Sequence, residues 1–371
     1  MYLDNAATTP LTKEVKDYII SILDDFGNPS SVYELGNKTK KIIENARNEV
    51  SKFINADLDK YDIVFTSSGS SANALAILGL TNQLEDYSLY CSPTSHKSML
   101  LACKNSKYNH LLTVDYSGRI NLLYLKDCLH RVHDVKPIVC IEVANSEIGT
   151  INDIKEICKL VHEYNGIVIA DYTGYIPSFK VDVIYDDVDI LTFSGHKLHA
   201  LKGVGILCKK KDIELKPLIY GSQEFGLFGG TENIVGIASL FMAIKNYDYS
   251  GISSKARDYV ESRLYKEILG CYVIGSTIDR LPNNLYMCFQ GIEGNALLSL
   301  LDLENIQVST GSACNSGDLT PSTTLTAIGI KKEDINSCIR FTFSGNETFE
   351  QLYWLCDVVK KKVALLRELN N

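Results

Sequence analysis

The sequence predicts an α/β protein: a mostly parallel central sheet covered by helices, plus a smaller α+β domain. Three observations carry this expectation. Apolar strand-like runs alternate with helical patterns from about residue 15 to residue 250, as in a parallel sheet whose crossovers are helices. Two of those runs end next to residues that packing alone does not explain, Asp171 and Lys197. Residues 251–257 then introduce a further helix rather than a loose linker, and strand patterns resume at Leu285 to Phe289 and Cys338 to Phe343. At 371 residues the chain is long enough for two packed lobes.

Residues 61–82 read as strand, small-residue loop and helix. Ile63-Val64-Phe65 is the strand, Ser67-Ser68-Gly69-Ser70-Ser71 the loop, and Ala72 to Leu78 the first turns of the helix. Free amides at a helix start, ringed by hydroxyls, form an anion cradle. Further on, Gly166 to Ala170 is an apolar run ending on Asp171, and Val188 to Phe193 leads into Ser194-Gly195-His196-Lys197. Lysine prefers water unless its amine is paired or used. A Schiff base to pyridoxal phosphate (PLP) is such a use, and it requires an anionic partner for the pyridinium nitrogen. Asp171, 26 residues upstream at another strand end, supplies one, because parallel sheets bind ligands beyond their carboxyl edge. Ser194 and His196 then close the phosphate cradle from the far side.

The segment Ser309 to Asp318 is polar and glycine-bracketed, without apolar period, and it carries Cys314. A thiol in such a loop can ionise, attack and swing away with what it captures. The other cysteines of the eleven read mostly as small core residues, Cys140, Cys208 and Cys288 among them. The odd count, with no Cys-x-x-Cys pair and no signal peptide read at the start, predicts reduced thiols, a cytoplasmic protein, and neither a disulfide framework nor a metal site. Net charge is −8 and the basic residues are scattered, which argues against nucleic-acid binding. No apolar run approaches a membrane span. The last stretch, Phe349 to Leu369, reads as an amphipathic helix.

Taken in order, Tyr2 to Pro10, Gly27-Asn28-Pro29-Ser30-Ser31, Ser95-His96-Lys97, Glu147-Ile148-Gly149, the Asp171 strand, Ser194 to Lys197, Lys202-Gly203-Val204-Gly205, Gly229 to Asn233, Gly311 to Cys314 and Ile339-Arg340-Phe341 make the chain resemble the cysteine desulfurases of the class V aminotransferase group (the NifS/IscS type). The resemblance spans essentially the whole length. It implies the PLP-dependent transferase fold of type I, with a large PLP-binding domain over 15–250. A small domain comprises 1–14 and 251–371 and carries the catalytic-cysteine loop. It implies that Lys197 anchors PLP and later serves as base and acid, that Asp171 pairs with the pyridinium nitrogen, and that His96 stacks on the ring and shuttles protons. Gly69, Ser70, Ser194 and His196 would surround the phosphate, with Thr231 reaching it from a neighbouring subunit, hence a homodimer with shared sites. Arg340 would hold the substrate carboxylate through its two-pronged donor edge, with Asn28 also on the substrate side. The implied reaction converts L-cysteine to L-alanine and leaves a persulfide on Cys314 for a sulfur-acceptor protein, a scaffold or a thiolation factor. Iron–sulfur cluster assembly and tRNA thiolation both begin with such a persulfide.

Several positions depart from that family. The usual glutamine three residues after the cofactor aspartate, a donor to the phenolic oxygen of PLP, is Gly174 here. A second donor, usually asparagine, is Ser146, with Asn145 one place earlier. Tyr33, Phe228 and Ser71 replace a usual histidine, arginine and glutamate. Tyr172 and Tyr175, flanking Gly174, are the candidate replacement hydroxyls. Two other readings compete with a desulfurase: a selenocysteine lyase or other class V enzyme, and a weakly active scaffold in a sulfur-transfer complex. Intact Lys197, Asp171, His96, Cys314 and Arg340 weigh against the scaffold.

Overall fold

The computed structural model describes residues 1–132, 134–311 and 321–370; Cys314 lies outside the described residues. Seven strands, β1 (Tyr61–Thr66), β2 (Tyr87–Cys91), β3 (Asn109–Leu111), β4 (Lys136–Glu142), β5 (Ile167–Asp171), β6 (Ile190–Ser194) and β7 (Gly205–Lys210), form one sheet in the order β1-β7-β6-β5-β4-β2-β3. β7 lies antiparallel to both its neighbours, and the pairs from β6 through β5, β4 and β2 to β3 are parallel. Helices cover both faces, which is why these strands read as near-continuous apolar runs instead of alternating ones.

The two faces can be followed residue by residue. In β4, Ile138 and Cys140 enter the core beneath the helices Gly69–Gln83 and Lys97–Lys104. Val139 and Ile141 between them enter the core shared with the helices Glu34–Phe53, Ile154–His162 and Ile234–Lys245. Alternation across a two-sided sheet therefore hides in an unbroken hydrophobic string.

A second sheet of three antiparallel strands, β8 (Cys271–Val273), β9 (Asn284–Phe289) and β10 (Cys338–Thr342), has the order β10-β9-β8. It packs a separate core with the helices Lys255–Glu267, Gly294–Asp302 and Phe349–Asn370. The N-terminal arm joins this core: Leu3 is fully buried within it, its N–H donates to Gln307 O, and Thr342 N–H donates to Leu3 O.

The helix after β1 begins at Gly69, three residues before the expected start at Ala72. Ser68 is its N-cap. Ser68 Oγ accepts from Ser71 N at 3.1 Å, and Ser71 Oγ accepts from Ser68 N at 2.8 Å. This reciprocal capping pulls Gly69 and Ser70 into the first turn. Ser71 thus does the local work that a longer acidic side chain does in a capping box.

Candidate active site

The carboxyl ends of β4, β5 and β6 open into a cleft of about 320 Å³. One wall is the start of the helix Gly69–Gln83; the N-terminal arm, through Asp4, Ala6 and Ala7, and Ser309 with Arg340 close the opposite side. The cleft lies where open parallel sheets place their ligands, because helix starts and unpaired strand ends converge there.

Asp171, the last residue of β5, is 3% exposed. Its Oδ2 accepts from Asn73 Nδ2 at 2.7 Å and its Oδ1 from Thr173 N at 2.8 Å. Asn73 also accepts from Thr192 Oγ1 at 2.5 Å and donates to Ser98 Oγ at 3.0 Å. Ser98 Oγ in turn lies 2.8 Å from His96 Nδ1. One buried amide therefore ties β6, the Asp171 carboxylate and the His96 segment together.

Lys197 follows β6 in a single 3₁₀ turn, Gly195–Lys197, and its side chain lines the same cleft. His96 is the N-cap of the helix Lys97–Lys104. Burial lowers its pKa, the Lys197 charge lowers it further, and Asp171 opposes both. The ring is neutral at neutral pH, and its Nδ1 accepts from Ser98 N at 3.2 Å, which puts the proton on Nε2. His196 is held at about 4 by burial and by Lys197 and Lys202; its Nδ1 meets Thr8 Oγ1 at 3.1 Å, and Thr9 Oγ1 donates to its carbonyl at 2.9 Å.

At the phosphate end, a Cβ on Gly69 would stand 3.1 Å from Ser194 Cβ. Glycine there lets the helix start press against the end of β6, and Gly69, Ser70, Ser194 and His196 all line the cleft. Anionic ligands suit a helix start, whose first N–H groups have no partner within the helix.

Arg340, from β10, donates from Nη1 to Ser146 O at 2.8 Å and from Nη2 to Asp4 Oδ1 at 2.7 Å. Its Nε is buried and finds no partner among the described residues. The guanidinium is fixed by two anchors with its Nε–H left to spare, the state expected of a group awaiting an anion.

A second cavity of about 290 Å³ adjoins the first and shares His96, Glu142, Ser146, Ser309 and Arg340 with it. Gly311 and Pro321 both line it. The described residues that flank the segment holding Cys314 thus line the cavity next to the cleft, while Cys314 itself lies outside the described residues.

Not every expected residue arrives here. Asn28 is exposed, bonds Ser30 N at 2.9 Å through its Oδ1, and does not line the cleft of its own chain. Thr231 is also exposed and lines a different cavity with Phe65, Ser67 and Gly230. The tyrosine expectation is overturned. Tyr172 is fully buried in the large core and its hydroxyl donates to Asp186 Oδ2 at 2.8 Å; Tyr175 packs against that core, edge-on to Tyr172. Tyr172 directly follows Asp171, so the alternation of β5 turns its ring away from the cleft side that Asp171 takes, and Tyr175 lies in the turn beyond. Asn73 and Glu142 are among the cleft residues that escaped the sequence reading. The signal for each was a polar residue inside an apolar run, Ala72-Asn73-Ala74-Leu75 and Val139-Cys140-Ile141-Glu142.

The Aminotransferase class-V family matches residues 1–355. This chain belongs to that family. It is 36% identical over 384 residues to a protein of Dictyoglomus turgidum named cysteine desulfurase IscS, covering 100% of this chain and 96% of the relative. A crystal structure of a NifS-like protein from Rickettsia africae matches with a TM-score of 0.90 at 28% identity, over 98% of this chain and 99% of that one. A structure described as SspA in complex with cysteine matches at 0.80 and 27% identity, covering 94% and 99%. The α/β architecture read from the sequence is the fold these class V relatives share.

The donor set fits the family's cofactor. An anion cradle, a buried carboxylate and an amine face one cleft, matching the phosphate, the ring nitrogen and the aldehyde of PLP.

Proposed function

We propose that this protein is a PLP-dependent cysteine desulfurase, with Lys197 as cofactor anchor, Asp171 on the ring nitrogen and Cys314 as the sulfur-accepting nucleophile. The observation that carries the reading is the meeting of Lys197, Asp171, His96 and Arg340 in one cleft, with both residues that flank the Cys314 segment lining the cavity beside it. When bound, PLP supplies an electron sink for the carbanion at the substrate α-carbon.

The chain's own groups supply the rest. Arg340 Nε, desolvated and free of other partners among the described residues, takes the L-cysteine carboxylate and sets the α-carbon towards Lys197. The Lys197 amine removes the α-proton and later returns a proton to the product carbon. Neutral His96 offers its Nε2 proton to the departing side of the substrate, with Ser98 locking the ring. The Cys314 thiolate attacks the substrate sulfur. An S–S bond forms, the substrate C–S bond breaks with its electron pair going to carbon, and protonation gives alanine while Cys314 keeps the persulfide. A reductant or an acceptor protein then removes the outer sulfur.

Thr231, exposed and away from its own cleft, supports the further reading that two copies share sites, each lending a hydroxyl to the other's phosphate. Asn28, exposed as well, is assigned to the substrate side of such a shared site. No described helix is long and apolar enough to cross a membrane.

The reading is tested with Lys197→Ala. The parent, mixed with PLP, should hold a visible absorbance band through gel filtration and make alanine from L-cysteine. The variant should lose both. Retention of the band by Lys197→Ala would contradict the assignment.

A further inference from the structure

Glu142 is a buried acid that none of the roles above uses. It ends β4 as the Cα partner of Asp171 in the β4–β5 ladder, is 4% exposed, and lines the cleft beside Asp171 and Lys197. Its Oε1 accepts from Ser146 N at 3.1 Å. Its Oε2 has a long contact, 3.4 Å, with Asn145 Nδ2. Burial and the neighbouring Asp171 carboxylate push it up to about 8, against the opposing pull of Lys197. Two buried carboxyls at paired strand ends of one cleft do not both ionise readily, which favours the protonated form of Glu142.

PLP has four polar handles: phosphate, ring nitrogen, aldehyde carbon and ring oxygen. The first three have partners in this cleft, and the fourth has none so far. Donors around it are spent or shut out. A Cβ at residue 174 would lie 2.3 Å from Ala144 O, so no side chain fits there. The Tyr172 hydroxyl is committed to Asp186. Asn145 donates to Thr94 O at 2.6 Å, and its Oδ1 accepts from Glu147 N and Ile148 N. Ser146, at the position of the family's second donor, gives both its N–H and its hydroxyl to Glu142 and its carbonyl to Arg340.

We propose that Glu142 is a cofactor-binding residue whose carboxyl donates a hydrogen bond to the ring oxygen of PLP. This rests on the PLP reading above. The donor is lost as pH rises through about 8, and what remains is a carboxylate beside an oxygen of like charge. The other charged or titratable groups facing this cleft and the adjoining cavity are Asp171, Lys197, His96, Lys97, His196, Arg340, Asp4 and Glu147.

The test compares equilibrium binding of PLP with that of its 3-deoxy analogue, which keeps the phosphate, nitrogen and aldehyde but lacks the ring oxygen. The parent, Glu142→Gln (a donor without ionisation) and Glu142→Leu (neither) are measured. The preference for PLP over the analogue should fall about five- to tenfold in Glu142→Leu and persist in Glu142→Gln, the scale of one hydrogen bond. Binding of the analogue by Glu142→Leu shows that the variant is folded. If it does not fold, the parent alone decides against Glu142→Gln: its preference should drop as pH passes about 8, and that of the glutamine variant should not. An unchanged preference in Glu142→Leu, its loss in Glu142→Gln, or the same pH course in parent and Glu142→Gln would overturn the proposal. Failure of the PLP reading itself looks different: the parent then binds neither compound with Lys197-dependent absorbance.

Discussion

At the scale of single residues, the site is built by placing polar groups where a strand or helix leaves no water to satisfy them, then satisfying them from one another. Asn73 shows this most fully, with its amide serving Asp171, Thr192 and Ser98 at once. Replacing it with alanine strands buried partners on three elements. Asn73→Ala should destabilise the cofactor-free protein by about 1–3 kcal/mol, read as a lower urea midpoint, and should weaken PLP binding as Asp171 loses its orienting donor. An unchanged midpoint would show that the network is dispensable. Lys197 and Asp171 were legible in the sequence because a charged side chain at the end of an apolar run is chemically out of place, whereas His96 and Arg340 were reached only through the family resemblance. Asn73 and Glu142 were passed over although each is a polar residue in an apolar run, because what sets them apart is burial, and burial depends on packing between elements distant in sequence. The two tyrosines misled for the same reason: proximity to Gly174 says nothing about which face of β5 and its following turn a ring takes.

Among elements, the contacts of the N-terminal arm matter most. Thr8 and Thr9 bond the His196 ring and carbonyl, Asp4 pins Arg340, and Leu3 enters the core of the second sheet, so a short arm links both sheets at the cleft. His196 is held at about 4, below its ordinary 6.5. The unfolded chain therefore binds the proton first as pH falls, and the folded state loses stability between those two values, with the contribution fully present above them. Thermal melts of the cofactor-free protein should fall across that window, and His196→Asn should flatten the fall. A steeper slope in the variant would contradict the assignment. The elements themselves were mostly legible, since a sheet buried on both faces announces itself as unbroken apolar strings. The start of the helix Gly69–Gln83 was displaced by three residues because the Ser68 and Ser71 side chains cap each other, and a run of serines does not reveal which one closes the turn.

For the whole molecule, two cores meet along one cleft. The large sheet contributes the groups that fit PLP, the second sheet contributes Arg340, and Gly311 and Pro321, which flank the segment holding Cys314, line the adjoining cavity. On the proposed reading, carbon chemistry falls to the sheet edge and sulfur transfer to the segment that carries Cys314. Helix and strand patterns run on past residue 251, so the division placed there rests on the family resemblance, and the cavity joining the sheets needs side chains from both. The central claim is that sulfur leaves L-cysteine for Cys314. The measurement that tests it most directly is alanine formed from L-cysteine by the PLP-loaded protein with a thiol reductant, run beside Cys314→Ala with the absorbance of both monitored. The account predicts alanine from the parent and a loss of about a hundredfold or more in Cys314→Ala, with the PLP band intact in both. Equal alanine from the two proteins would contradict it.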